Sequence, residues 1–292
     1  TLAQLLTILP RLERAVGRPR VRDHLIALTE NPDGALGRIA DDIGAPIVRH
    51  PAVGGRYSVL SPVGLIPGFA AGADVEGVVA GARAMAERCL AEGIVDNPAF
   101  RGGVAQYLLA ERGMTQSVQL PYYERLDKVT SWYRQLWAES LGKLDAAGAH
   151  RGLTPVRAMG ATDQHSQLQL YLQGPGDKQF TLFFADDLEH GGGRIPEGYA
   201  HLDAVAPLAG HTVGELLSAE FQATRETLAR NGRPSRTLRF PALDATALGE
   251  LIMLLETETV VVAELLGVDP FDQPAVEESK VLTREYLARM VR

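Results

Sequence analysis

Apolar positions set the first divisions of the chain. Over residues 2–15 they recur at helical spacing and stop near Gly17-Arg18-Pro19, which predicts a helix. Residues 24–29, His-Leu-Ile-Ala-Leu-Thr, form a short apolar run closed by Asn31-Pro32-Asp33, the pattern of a buried strand. A short helix over 34–43 then leads to a second strand at 46–49. Strand alternating with helix is the rhythm of a parallel sheet covered on both faces, so the predicted class is α/β. The Ala/Gly-rich stretch 68–93 reads as helix bridging two sheet-bearing parts. Beyond it come a strand at 116–120 and an amphipathic helix over 124–141, which carries Gln135 and Glu139 four residues apart on one face. Residues 167–172 and 179–184 read as strands around the turn Gly174-Pro175-Gly176-Asp177, and 186–198, with Gly191-Gly192-Gly193, as a mobile loop. A helix over 212–230 is capped by Thr212 and ended by Asn231-Gly232. A strand at 236–240 and a long helix over 244–266 follow, and no internal repeat is visible.

Composition narrows the partners. The 292 residues can bury a sizeable core, and 46% hydrophobic with 22% charged residues is ordinary for a globular protein. A formal net charge of −7 argues against nucleic acid or an anionic membrane as partner, since both reward a basic face. A single cysteine, Cys89, excludes an internal disulfide framework and fits a reducing compartment. The apolar stretch 256–267 is interrupted by Glu264 and too short to span a bilayer, and no signal-peptide pattern is visible, so the default location is cytoplasmic. No Gly-x-Gly-x-x-Gly or Walker loop supports nucleotide binding, and no histidine spacing resembles a zinc motif.

Four segments carry the chemistry. Val53-Gly54-Gly55-Arg56-Tyr57-Ser58 holds a Gly-Gly-Arg-aromatic-Ser pattern. Phe271-Asp272-Gln273-Pro274-Ala275-Val276-Glu277-Glu278-Ser279-Lys280 holds an aromatic-Asp-Gln-x-Gly-Val-Glu-x-x-Lys pattern, with Ala275 in the glycine position. Between them lie Gln135-Leu136-Trp137-Ala138-Glu139-Ser140-Leu141-Gly142-Lys143 and Gly160-Ala161-Thr162-Asp163-Gln164-His165. In this order they resemble the signature segments of the phosphoglucose isomerase (glucose-6-phosphate isomerase) family, and the likeness runs nearly end to end. The resemblance implies two sugar-isomerase (SIS) modules, each a parallel sheet with helices on both faces. Residues 1–66 would complete the first module, truncated at its N-terminus, 67–115 form a helical connection, and 116–292 form the second. Thr1 would be the last residue of the family's Ser/Thr-rich phosphate loop, and no such run is in the chain, so this stretch is expected to be nearly inactive alone. Two alternatives stay open: a non-catalytic sugar-phosphate-binding module, and the isomerase part of a transaldolase fusion.

An aldose–ketose isomerisation needs a base between C1 and C2, a cation over the enediolate, groups that open the ring, and a grip on the phosphate. Glu139, on a helix face beside apolar Leu136 and Trp137, is the expected base, with Gln135 a substrate contact on the same face. Gly54 and Gly55 would let backbone approach the substrate closely, and the resemblance assigns Arg56 to the enediolate. It likewise implies that His165 and Lys280 assist ring opening and that Gln273 touches substrate. His24, His50, His150, His190, His201 and His211 read as structural. Ala275 leaves the local turn uncertain but keeps Gln273, Glu277 and Lys280. A reaction that only moves protons needs neither metal nor cofactor, so none is expected. In the family the counterpart of His165 enters the neighbouring subunit's site, which implies a homodimer with shared sites.

Overall fold

The computed structural model describes residues 1–290, so the last two residues of the stretch assigned to the second module, 291 and 292, lie outside it. The chain divides into two compact units, Thr1–Val75 and Glu76–Arg292. In the first, α1 (Leu2–Val16) and a 3₁₀ turn (Arg18–His24) precede β1 (Ala27–Thr29), α2 (Ala35–Ile43) and β2 (Ile47–Arg49). The two strands pair in parallel, Ala27 opposite Ile47. Ala27, Ala40 and Ala45 form a small core with Leu25, Leu36 and Ile43, while Leu6, Ile8, Ile26 and Ile47 remain exposed. A 3₁₀ turn (Gly55–Tyr57) and α3 (Pro62–Ala70) follow. The helix predicted over 68–93 is interrupted: α3 ends at Ala70, and α4 (Val75–Cys89) begins where the units divide.

The second unit is a doubly covered parallel sheet. Its strands, β3 (Gln116–Pro121), β6 (Thr154–Arg157), β7 (Lys178–Ala185) and β8 (Ser235–Phe240), lie in the order β6-β3-β7-β8, all parallel. Between β3 and β6 come α6 (Asp127–Leu141) and a small antiparallel hairpin of β4 (Lys143–Leu144) and β5 (His150–Arg151). Then α7 (Thr162–Gln173) leads to β7, α8 (Val213–Arg230) to β8, and α9 (Ala245–Leu266) to the terminal α10 (Glu277–Met290). α5 (Pro98–Ala110), started by Asn97 capping Phe100 N–H at 2.8 Å, precedes the sheet. α8 begins at the predicted Thr212 with a complete capping box to Glu215. Among the described residues no helix is long and apolar enough to cross a membrane.

Strand alternation splits this sheet into two unlike faces. Val118, Leu120, Phe180, Leu182 and Phe184 pack with Tyr171 of α7 and with Phe221 and Leu228 of α8; the Phe184 and Phe221 rings stack at 4.4 Å. The other face carries buried Ser117, Gln119, Gln179 and Thr181. There Arg236, opposite Thr181 in the register, grips Glu258 of α9 with both terminal nitrogens at 2.6 and 2.7 Å and bonds Thr181 Oγ1 at 2.9 Å. Gln106 of α5 donates to Glu258 at 2.5 Å and accepts from Ser117 at 2.9 Å. Burial works against the Arg236 charge, but Glu258 outweighs it and holds the guanidinium above its usual range.

Residues 167–172, predicted as a strand, lie inside α7. Leu168, Tyr171 and Leu172 pack against the sheet at i, i+3 and i+4, while Leu170 stays 50% exposed. The Gln-Leu-Gln-Leu alternation mimics a strand, but burial follows the helical period. The fourth strand is instead β6, four residues containing Pro155, too short to announce itself by pattern. The 186–198 loop contains two 3₁₀ turns, Asp186–His190 and Glu197–Tyr199.

Removing Glu258 would strand the guanidinium of Arg236. Glu258→Ala should lower the unfolding free energy by about 3–5 kcal/mol in a denaturant titration, whereas the apolar pair Arg236→Met with Glu258→Leu should recover most of that loss. Glu256 of the same helix gives a pH-dependent counterpart. Burial raises its carboxyl from an ordinary 4.5 to about 8, and its Oε1 has no hydrogen-bond partner among the described residues. Between those values the folded state keeps a proton that the unfolded chain has released, so Glu256 erodes stability as pH rises. Glu256→Gln should raise Tm at pH 8 and change it little at pH 4; equal shifts at both values would refute the assignment.

Candidate active site

The first unit presents the Gly-Gly-Arg turn. Gly54 precedes the 3₁₀ turn Gly55–Tyr57, whose backbone closes by Tyr57 N–H donating to Gly54 O at 2.9 Å. Ser58 Oγ bonds Gly55 O at 2.7 Å, and Ser61 Oγ bonds Ser58 O at 2.6 Å. With the Ser61 proton thus committed, His50 Nε2, 2.8 Å from Ser61 Oγ, must be the donor, which gives His50 a structural part in holding this turn. Arg56 is buried to 2% exposure, its guanidinium 5.4 Å from the Tyr57 ring centre. Gly55 is exposed, and a methyl group placed there meets no atom within 4 Å. The fold itself has no need of glycine at that position.

In the second unit, α6 buries Tyr133, Leu136, Trp137 and Leu141, with Tyr133 and Trp137 stacked at 5.2 Å. That leaves Gln135 and Glu139 on the other side, where the Gln135 amide donates to Glu139 Oε2 at 3.0 Å. After α6, Lys143, whose side chain is largely buried, bonds the carboxylate of Asp272 at 2.8 Å and the carbonyl of Asp269. The 271–280 signature therefore begins beside the end of α6 that carries Glu139. It is delivered there from α9, which stops at Gly267 in the left-handed conformation (φ 70°), with Val268 N–H reaching back to Ala263 O at 3.0 Å. Asp269 then turns the chain by accepting Phe271 N–H at 2.8 Å. Gln273 is half-buried. Ala275 lies in the 3₁₀ turn Pro274–Val276, and no non-glycine residue described has positive φ, so the alanine suits its backbone. Lys280 is exposed on α10, 2.6 Å from Glu277.

His165 sits in the first turn of α7, exposed. The loop before it is built on Tyr122: a methyl group at Gly160 would come within 2.6 Å of the Tyr122 ring, so only glycine allows this approach. Burial pushes the Tyr122 phenol up to about 12, keeping it a donor, and it bonds Gln164 Oε1. Asp163 accepts from Met159 N–H at 2.8 Å and Ser166 Oγ at 3.0 Å, fixing the helix start.

Sheet polarity separates two of the expected groups. α6 crosses back over the sheet from β3 to the start of β6, and Gly152, just before β6, lies against Leu141 and Gly142. Glu139, in the last turn of a 15-residue helix, is thus at the amino end of the strands. His165, which follows β6, is at the carboxyl end. A helix of that length spans about 22 Å. Within the unit, Gln135 meets Glu139, Lys143 ties the same helix end to Asp269 and Asp272, and His165 lies at the opposite edge. Arg56, Gly54 and Gly55 belong to the first unit. Sequence reading missed the bond of Lys143 to Asp272; the only signal was that both lie inside matched segments.

The family model for phosphoglucose isomerase matches residues 7–291. The chain belongs to this family. It is 42% identical over 291 residues to the glucose-6-phosphate isomerase of Rubrobacter xylanophilus, covering 99% of this chain and 66% of that protein. With the glucose-6-phosphate isomerase of Carboxydothermus hydrogenoformans it shares 40% identity, covering 99% and 63%. The chain therefore spans a little under two thirds of these relatives. A hypothetical protein from Thermus thermophilus superposes with a TM-score of 0.90 at 38% identity, over 98% of this chain and 68% of the other. The glucose-6-phosphate isomerase of Chlamydia trachomatis superposes at 0.73 and 21% identity, over 92% and 53%, a likeness of fold.

Because a methyl group at Gly55 would meet no atom within 4 Å, Gly55→Ala tests whether that space is kept for a ligand. The variant should keep its stability or gain about 0.4–1 kcal/mol, while binding of a sugar phosphate weakens severalfold in calorimetry. A large loss of Tm would show that the glycine serves the fold instead.

Proposed function

We propose that the protein containing this chain interconverts glucose 6-phosphate and fructose 6-phosphate through a cis-enediolate. The reading is supported by family membership, by the names of relatives 40–42% identical over 99% of the chain, and by the presence of Arg56, Glu139, His165 and Lys280 in segments that resemble the family's signatures. The observation that carries it is the pair Gln135–Glu139: a carboxylate oriented by an amide at 3.0 Å, on the helix end beside which the 271–280 signature begins.

In this scheme His165 and Lys280 open the sugar ring, one taking the hydroxyl proton at C1 and the other supplying a proton to the ring oxygen. Glu139 then takes the proton from C2, the electron pair forms the C1–C2 double bond, and the C1 oxygen becomes the enediolate. Arg56 holds that charge with a guanidinium that is never neutral. A proton passes from the C2 hydroxyl to the C1 oxygen, and return of the Glu139 proton to C1, as the C2 oxygen becomes the carbonyl, yields the ketose. Gly54, Gly55, Gln135 and Gln273 contact the substrate, and no step requires a metal or cofactor.

The reading includes a cytoplasmic homodimer with shared sites and an architecture of two SIS modules, divided as 1–66, 67–115 and 116–292. The opposite sheet ends of Glu139 and His165 favour the shared arrangement, because groups at opposite edges of one sheet do not converge on a single sugar. The exposed apolar side chains around the two-stranded parallel sheet favour an incomplete first module, since parallel sheets are normally covered on both faces.

One experiment tests reaction and assembly together. The intact protein should turn over fructose 6-phosphate with solvent deuterium entering at C2 of the aldose, and Glu139→Gln and His165→Ala should each abolish turnover. Refolding the two inactive variants together makes about half of the dimers mixed, each with one native site, so activity should return to about a quarter of wild type. No recovery despite demonstrated subunit exchange would mean that both residues act within one chain.

A further inference from the structure

The 271–280 signature has little to fix it by packing: from Phe271 onward no described residue is buried, and α10 buries none. Polar ties therefore carry part of its positioning. Lys143 supplies two, to the carboxylate of Asp272 at 2.8 Å and to the carbonyl of Asp269, 126 residues further along the chain. The side chain of Lys143 is only 8% exposed while that of Asp272 is 55% exposed, so the ammonium has left bulk water for these partners. Such a cation is retained only where its partners satisfy it. The attachment points matter more than the bond. Lys143 follows Glu139 by four residues, and Asp272 immediately precedes Gln273. The tie therefore joins backbone about one helical turn from the proposed base to backbone adjacent to a proposed substrate contact.

We propose that Lys143 is a positioning residue of this site: through Asp272 and Asp269 it sets where Gln273, and with it α10 and Lys280, stand relative to Glu139. This inference rests on the isomerase reading above. Lys143 touches no reacting atom in this scheme. It holds two segments with separate roots, one on α6 and one on the cap of α9, in a fixed relation. A displacement of about 1 Å between acid–base and binding groups costs on the order of a hundredfold in rate.

The test uses the intact protein. Lys143→Met keeps the aliphatic stem and removes the donors. It should lower kcat/KM for fructose 6-phosphate about 100-fold, with Tm nearly unchanged and faster amide exchange confined to residues 269–278. Lys143→Arg, which can still bridge both oxygens, should recover most of the loss. Asp272→Asn should cost less than Lys143→Met, because the Asp269 carbonyl still holds the ammonium. The double variant Lys143→Met with Asp272→Asn should be no worse than Lys143→Met alone. Three results would overturn the proposal: kcat/KM within threefold of wild type, unchanged exchange over 269–278, or no recovery with arginine. If Lys143→Met fails to fold, exchange and kcat/KM in Asp272→Asn decide instead. A wild-type protein that does not isomerise the sugar phosphate would sink the isomerase reading, while exchange in the variants would still report whether the tie exists.

Discussion

The buried pair Arg236–Glu258 is the interaction on which the second unit depends. Glu258 is completely buried, and it accepts from both terminal nitrogens of Arg236 and from the amide of Gln106. One carboxylate thereby joins a strand and two helices, β8, α9 and α5. A charge buried in this way is tolerable only when every lone pair is engaged, so the surroundings are polar by necessity: Thr181 meets Arg236, Ser117 meets Gln106, and Gln119 meets Ser117. This accounts for the polar side chains buried on the second face of β3 and β7, Ser117, Gln119, Gln179 and Thr181.

The pair also determines what α9 can do for the site. Held at Glu258, α9 runs to its Gly267 cap and releases the chain toward the end of α6. The signature that follows has no buried anchor of its own and is met there by Lys143. A rigid core thus ends in a short polar joint, and the proposed catalytic geometry is set by that joint rather than by apolar packing. Such an arrangement couples the site to a few oriented charges, which is the usual way that acid–base groups are kept in register.

Parallel topology imposes a second constraint. Each helix that follows a strand returns antiparallel to it, so groups at helix ends are sorted to one edge of the sheet or the other. Glu139 at the end of α6 and His165 at the start of α7 fall on opposite edges although only 26 positions separate them, as 165 minus 139. In a symmetric dimer, edges that are remote within one chain can still face each other across the two-fold axis.

What the sequence determined by itself was local. Helical period and capping residues located α1, α6, α8 and α9, because N–H groups in the first turn are met by side chains nearby in sequence, as Thr212 and Glu215 do. The i, i+4 spacing put Gln135 beside Glu139, since a helix fixes that distance. The signature segments carried the family. Local pattern failed where burial is set from outside: the alternating Gln and Leu of α7 looked like a strand until the sheet showed which side chains it covers, and β6 is too short to carry a period. Tertiary structure alone decided the pairing of Arg236 with Glu258, the separation of Glu139 from His165, and the grip of Lys143 on Asp272. Each depends on where a crossover brings the chain back, and no period in the residues between encodes that path.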